Sequence, residues 1–116
     1  MASVLSTVGA DTILDALGAT YASVHSGDPG ATGTSNELTG GSPAYARKAI
    51  SFAAAAARAK AVQATFPTFD IPAGSTVAYI GLWSAIAGTY LGCFDVTDEV
   101  YAGQGTFTLS AGSLSL

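Results

Sequence analysis

The side chains on which a reaction or a metal would depend are scarce and scattered: one histidine, His25, one cysteine, Cys93, and eight carboxylates. A Ser/His/Asp or Cys/His mechanism needs an imidazole to take the nucleophile's proton. His25 is its sole supplier, three residues before Asp28 in His-Ser-Gly-Asp-Pro-Gly. A lone histidine at the end of a short alternating run reads as a hydrogen-bonded structural residue rather than a base. Zinc asks for several Cys or His ligands, and the chain has one of each. Adjacent Asp98 and Glu99 offer oxygen to calcium, but no EF-hand-like spacing accompanies them. Asp95 with Asp98 or Glu99 would have to face one cleft to work as a glycosidase pair, and a solvated loop is the plainer reading. Nucleophile elbow, phosphate-cradling loop and His-Glu-x-x-His are all absent. The inventory implies no catalytic residue, no cofactor and no metal, hence a protein that is not an enzyme.

Recognition is the other chemistry open to it. Six aromatics, Tyr21, Tyr45, Tyr79, Trp83, Tyr90 and Tyr101, could line a carbohydrate surface, but five of them stand in alternating apolar runs where a core role comes first. Tyr101, in Glu-Val-Tyr-Ala-Gly-Gln-Gly, reads as loop-borne. With Asp28 and Asn36 of the Ser26–Ser42 loop it forms the candidate surface for a host glycan. The net charge of −4 argues against nucleic acid, which needs clustered cations against phosphate. The four cations nevertheless share one segment: Arg47, Lys48, Arg58 and Lys60, with purely acidic stretches on either side. That arrangement suits contact between neighbouring subunits, through Tyr45 and these four cations. The plainer alternative is solvated strand faces with pairing inside the chain. Charged residues are only 10% of the total, against about 25% in ordinary soluble domains, so few charges hold this surface away from neighbours.

The elements that must carry these residues are mostly strands. Val4, Leu5, Val8, Ile13, Leu14 and Leu17 recur at helical spacing; Gly9 weakens the middle, Asp11 is a candidate cap for Asp11 to Leu17, and Gly18 is placed to end the helix. Tyr21 to His25 reads as a strand, and Ser26 to Ser42, rich in Gly, Ser and Thr, as a long loop. Tyr45 to Phe52 alternates, with Arg47 and Lys48 marking it as lying at or near a sheet edge. Ala53 to Ala57 favours helix by propensity and strand–loop–strand by context, with Val62, Ala64 and Phe66 alternating beyond it. Phe69 and Ile71 precede a Pro72-Ala73-Gly74 turn. Val77 to Ser84 is apolar on both faces, Val77, Tyr79 and Trp83 against Ala78, Ile80 and Leu82, which marks a central strand. Tyr90, Phe94 and Val96 then share one register, with Cys93 as a buried thiol. Two alternations close the chain: Phe107 with Leu109, then Leu114 with Leu116, joined by a turn at Ala111-Gly112. The uncharged stretch from Ala73 to Phe94 is long enough to cross a bilayer, but its four glycines and a turn near Ala87-Gly88 make two strands the better reading, and no secretory signal is visible. The expectation is a mainly β, antiparallel sandwich or barrel-like sheet with a short N-terminal helix. Residues 1–116 form a single domain, 1–18 helical and 19–116 the β-sandwich, that makes no membrane contact.

Several strings together resemble a family of small virion proteins of tailed bacteriophages, especially those of actinobacteria. They are Ser23-Val-His-Ser-Gly-Asp-Pro-Gly30, the run Asn36 to Phe52 with its Gly-Gly-x-x-x-Tyr-Ala-Arg block, Phe69-Asp-Ile-Pro-Ala-Gly74, Val77-Ala-Tyr-Ile-Gly-Leu-Trp-Ser84 and Gly103-Gln-Gly-Thr-Phe-Thr-Leu109. The similarity runs from about Leu14 to Leu116. It implies a structural virion protein of the minor tail or tail-fibre kind. A capsid decoration protein that stabilises the shell is the alternative within that class, and a host-surface glycan-binding module the alternative outside it. It further implies other virion proteins as partners, a symmetric homo-oligomer, and synthesis in the bacterial cytoplasm followed by a place on the particle exterior. The family often has a Thr-His pair before its Gly-(Leu/Ile)-Trp; here Ala78-Tyr79 stands there, which removes that histidine.

Overall fold

The computed structural model describes residues 6–61, 67–109 and 112–115. Among them the chain is mainly β: one helix, α1 (Thr7–Ala16), and strands β1 (Tyr21–His25), β2 (Lys48–Ala49), β3 (Ala59–Ala61), β4 (Thr68–Ile71), β5 (Ser75–Trp83), β6 (Tyr90–Tyr101), β7 (Gly105–Thr108) and β8 (Ser113–Ser115). A four-stranded sheet has the order β2-β1-β5-β6, while β3 pairs with β8 and β4 with β7, all antiparallel. β5 is rich in β-branched and aromatic residues, the types that suit a pleated surface covered on both sides, and it is the inner strand expected. Its Ile80 and Leu82 face the same way as Val24 and Ala22 opposite them on β1. This apolar face packs with Phe69 and Ile71 of β4, Leu109 and Ile50 into the core, with Tyr45, Phe94 and Phe107 against its margin. Ser84 to Thr89 closes the β5–β6 turn, so the uncharged stretch is two strands as read. No helix among the described residues is long and apolar enough to cross a membrane.

The N-terminal helix starts earlier than Asp11. Ser6 is the cap, its Oγ accepting from the Gly9 N–H at 3.0 Å, and the helix runs through Gly9. Only Ala10 and Leu14, four apart, are buried. Asp11 and Asp15, also four apart and so on one face, reach outward instead: Asp11 Oδ1 accepts from the Arg58 N–H and Asp15 Oδ1 from the Ala55 N–H, both at 2.8 Å. Gly18 is left-handed after the last turn, as its place required (φ 67°).

Those carboxylates explain the alanine run, which is neither helix nor regular strand. Ala56 and Ala59 exchange both backbone hydrogen bonds at 2.9 Å around Ala57 and Arg58, which are both left-handed (φ 50° and 66°). This is the backbone of a primed hairpin turn, normally built from Asn and Gly. Each residue with a Cβ costs about 1 kcal/mol in that conformation, and the helix carboxylates offset it by holding the segment's free N–H groups. Val62, Ala64 and Phe66 lie outside the described residues.

Four readings in the second half change. Tyr90 does not share a face with Phe94 and Val96: β6 carries an extra residue between its pairings Leu82↔Gly92 and Trp83↔Tyr90, which turns Tyr90 to the side of Trp83. A second irregularity sits between Val77 and Tyr79, and Val77 packs in the core with Ile80 and Leu82 rather than beside Trp83. The two closing alternations are not a hairpin, since β7 pairs with β4 and β8 with β3. Phe107 and Leu109 do point inward with Thr106 and Thr108 exposed, while Leu116 and Ala111 lie outside the described residues. Cys93 is a free thiol that is half-buried, not buried.

Candidate functional site

The other face of the β1–β5 ribbon holds Tyr21, Ser23 and His25 opposite Trp83, Gly81 and Tyr79. Ser23 and His25 are two apart, hence on one face, and both are fully buried. Their polar atoms form one chain. Trp83 Nε1–H donates to Ser23 Oγ (2.8 Å), Ser23 Oγ is 2.7 Å from His25 Nε2, and His25 Nδ1 is 2.8 Å from the Ser35 carbonyl. A carbonyl can only accept, so the network assigns the proton to Nδ1, and Nε2 accepts from the Ser23 hydroxyl. Gly81 makes the room: a Cβ there would stand 2.5 Å from Ser23 Oγ and 2.8 Å from His25 Nε2. Burial holds His25 below its ordinary pKa of 6.5, outweighing the Ser35 carbonyl that favours the charged ring. The Ser–His distance is that of a nucleophile and its base. Here both members are sealed from solvent, and both imidazole nitrogens are taken.

The loop from residue 26 to 47 lies across this face and is pinned by a second cluster. Arg47 grips Glu37 in a two-pronged pair, Nε to Oε2 at 2.9 Å and Nη2 to Oε1 at 2.8 Å. Its third nitrogen donates to the Ile86 carbonyl in the β5–β6 turn (2.9 Å), and its guanidinium lies 3.7 Å from the centre of the Trp83 ring. Tyr45 donates its hydroxyl proton to Glu37 Oε2 and accepts from the Val24 N–H, both at 2.9 Å, while its ring stacks on Phe69 of the core. Burial alone would push the Glu37 carboxyl up, but the bonds from Arg47 and Tyr45 hold it below the usual carboxylate range. Burial drives the Tyr45 phenol well above its ordinary value. Tyr90 also packs against Trp83, their ring centres 5.3 Å apart, and Gly33 is pressed onto the Tyr90 ring so closely that any Cβ there would overlap it.

The expected contact residues divide accordingly. Tyr45 and Arg47 are half-buried in this cluster, so the basic charge of Arg47 is spent within the chain. Lys48 lies on β2, the outer strand of its sheet, as anticipated. Arg58 is the second left-handed residue of the alanine turn, and Lys60 lies in β3. Of the recognition candidates, Asp28 accepts from the Gly30 N–H (2.8 Å), and Asn36 donates to the Asp28 carbonyl (3.1 Å), so both shape the loop. Tyr101 is not loop-borne: it ends β6, is half-buried and donates to the Thr106 carbonyl (2.8 Å). Asp95, Asp98 and Glu99 are exposed on β6 rather than in a loop. Among the described residues no three His, Cys, Asp or Glu side chains come together as a metal site.

The residues missed one by one were Ser23, Glu37, Gly81 and Trp83, the first and last being 60 positions apart. Their signal was present in another form. Ser-Val-His, Asn-Glu with Tyr-Ala-Arg, and Gly-Leu-Trp belong to three of the strings that carried the resemblance, and the fold brings them together. Comparison with known proteins reaches the same level. No curated protein and no solved structure matches the chain. A family model, described as podophage GP4 fiber I protein gp80, matches residues 3–116. The chain belongs to this family of phage fibre proteins, and is thereby a structural protein of the virion that works among other virion proteins.

Proposed function

We propose that the chain is a non-enzymatic subunit on the exterior of a tailed-phage particle, held in a tail or fibre-associated position by contacts with its neighbours. The observation that carries this reading is the family match over nearly the whole chain. The sealed Ser23–His25 pair supports it, because the most reactive-looking arrangement in the molecule is used to fix a loop onto a sheet. A subunit that must hold its shape outside a cell benefits from such internal bonding. Contact with the next subunit runs along the β2 edge through Lys48, with Arg58 and Lys60 nearby in sequence and with Tyr45 and Arg47, just before β2 in the chain, bonded to Glu37. A symmetric homo-oligomer fits this role. The origin in phages of actinobacteria rests on the sequence strings alone.

Quantitative mass spectrometry of purified virions, with antibody labelling in the electron microscope, tests the position. Low copy number with label at the tail is the expected result. Label over the head at a copy number matching the shell lattice would make it a decoration protein instead.

A further inference from the structure

β6 is the outer strand of the four-stranded sheet, and β7 is paired with β4 alone, so each presents a free edge among the described residues. Between them runs an open groove of about 540 Å³. Its apolar lining is Val96, Phe107 and Leu109, and its rim is Asp95, Asp98 and Glu99. β6 is unusual along this stretch. Val77 pairs with Glu99 and Tyr79 with Asp95, which leaves Val96, Thr97 and Asp98 without partners on β5. A bulge of this kind re-aims side chains and ends orderly pairing. Backbone hydrogen-bonding groups near an open edge are a template for an added strand. The rim carboxylates set which strand can use it. A second copy of β6 would bring carboxylates against carboxylates, whereas a cationic strand would be drawn in.

We propose that the β6–β7 groove takes an extended segment of another virion protein, with lysine or arginine against Asp95, Asp98 and Glu99 and apolar residues against the half-buried Val96 and Phe107. The occupant's source in the virion rests on the function proposed above; the groove's preference for a basic strand does not. A second copy's β6 is a poor source of that segment, being acidic itself, and Arg47 is already held by Glu37.

The test uses the isolated, isotope-labelled protein and two end-blocked hexapeptides, one alternating lysine with valine and one alternating glutamate with valine. The lysine peptide should shift the amide resonances of residues 95–99 and 107–109 saturably, and the glutamate peptide should leave them unmoved. An Asp98→Lys, Glu99→Lys variant should weaken the lysine peptide by about tenfold or more and take up the glutamate peptide. Raising salt to about 0.5 M on the unaltered protein should weaken binding likewise, independently of how the variant folds. The proposal is overturned by absent or non-saturable shifts, by shifts confined to the Trp83 side, or by the same resonances moving with protein concentration alone, which would make the occupant a second copy. These results stand apart from virion position, so a head-located protein with a working groove and a tail protein without one give different outcomes.

Discussion

The two faces of the β1–β5 ribbon are filled in different ways. On one, Ala22, Val24, Ile80 and Leu82 meet Phe69 and Ile71, and what holds them is area removed from water and close packing. On the other, Ser23, His25 and Trp83 are just as dry, but each polar atom there has a specific partner. No buried side-chain nitrogen or oxygen among the described residues lacks a hydrogen bond. The first kind of face accepts any residue of about the right volume. The second accepts almost none, because loss of one member leaves others buried and unpaired. Identity is therefore demanded on the polar face and mainly size on the apolar one.

Single substitutions can break or sharpen that contrast. The largest effect is expected from Arg47→Ala, which leaves the Glu37 carboxylate half-buried without its cation, removes the anchor on Ile86 and bares Trp83. A loss of about 3 kcal/mol follows in urea unfolding, and a Glu37→Leu, Arg47→Met double variant should recover much of it, because the stranded charge has gone. Ser23→Ala comes next. It removes one oxygen and orphans two groups, Trp83 Nε1–H and His25 Nε2, for a loss of about 2 kcal/mol. Ile80→Val on the opposite face removes a methylene and should cost about 1 kcal/mol. If the order of these last two were reversed, the polar face would be no more demanding than the apolar one.

The smallest effect is a pH dependence confined to one face. His25 has its folded pKa lowered, so the unfolded chain takes up the proton more readily; its contribution is whole above 6.5 and is lost as pH falls below that value. Glu37 is also lowered, so its contribution is present above 4.5 and is lost as pH falls further. Stability followed by denaturant midpoint should therefore decline in two stages on acidification. His25→Gln should lower stability at neutral pH and erase the upper stage, while Ile80→Val should leave both stages in place.

Much of the fold was legible because period-two patterns report burial directly. The inner position of β5, the inward Phe107 and Leu109, the β5–β6 turn and the Gly18 stop all follow from local pattern. The parity of β6 was not legible, since an extra residue near Leu91 exists only relative to the register with β5. Ala53 to Ala57 was not legible either. Its own propensity is for helix, and its conformation is imposed by carboxylates on α1 more than 40 residues earlier for Arg58 and 40 earlier for Ala55. The cluster around Trp83 showed as motifs rather than as a site. A serine two before a histidine and a glycine two before a tryptophan have no fixed meaning until two strands are laid side by side.

Trp83 is the chain's single tryptophan, and it is the residue that both polar clusters touch. Its indole has a hydrogen bond on Nε1 and a guanidinium across one face, so its surroundings in the native molecule are unlike those of a tryptophan in water. The protein thus carries its own optical gauge: emission colour and lifetime report whether the long loop is seated on the sheet. That makes ageing or acid damage of the subunit readable without any attached dye.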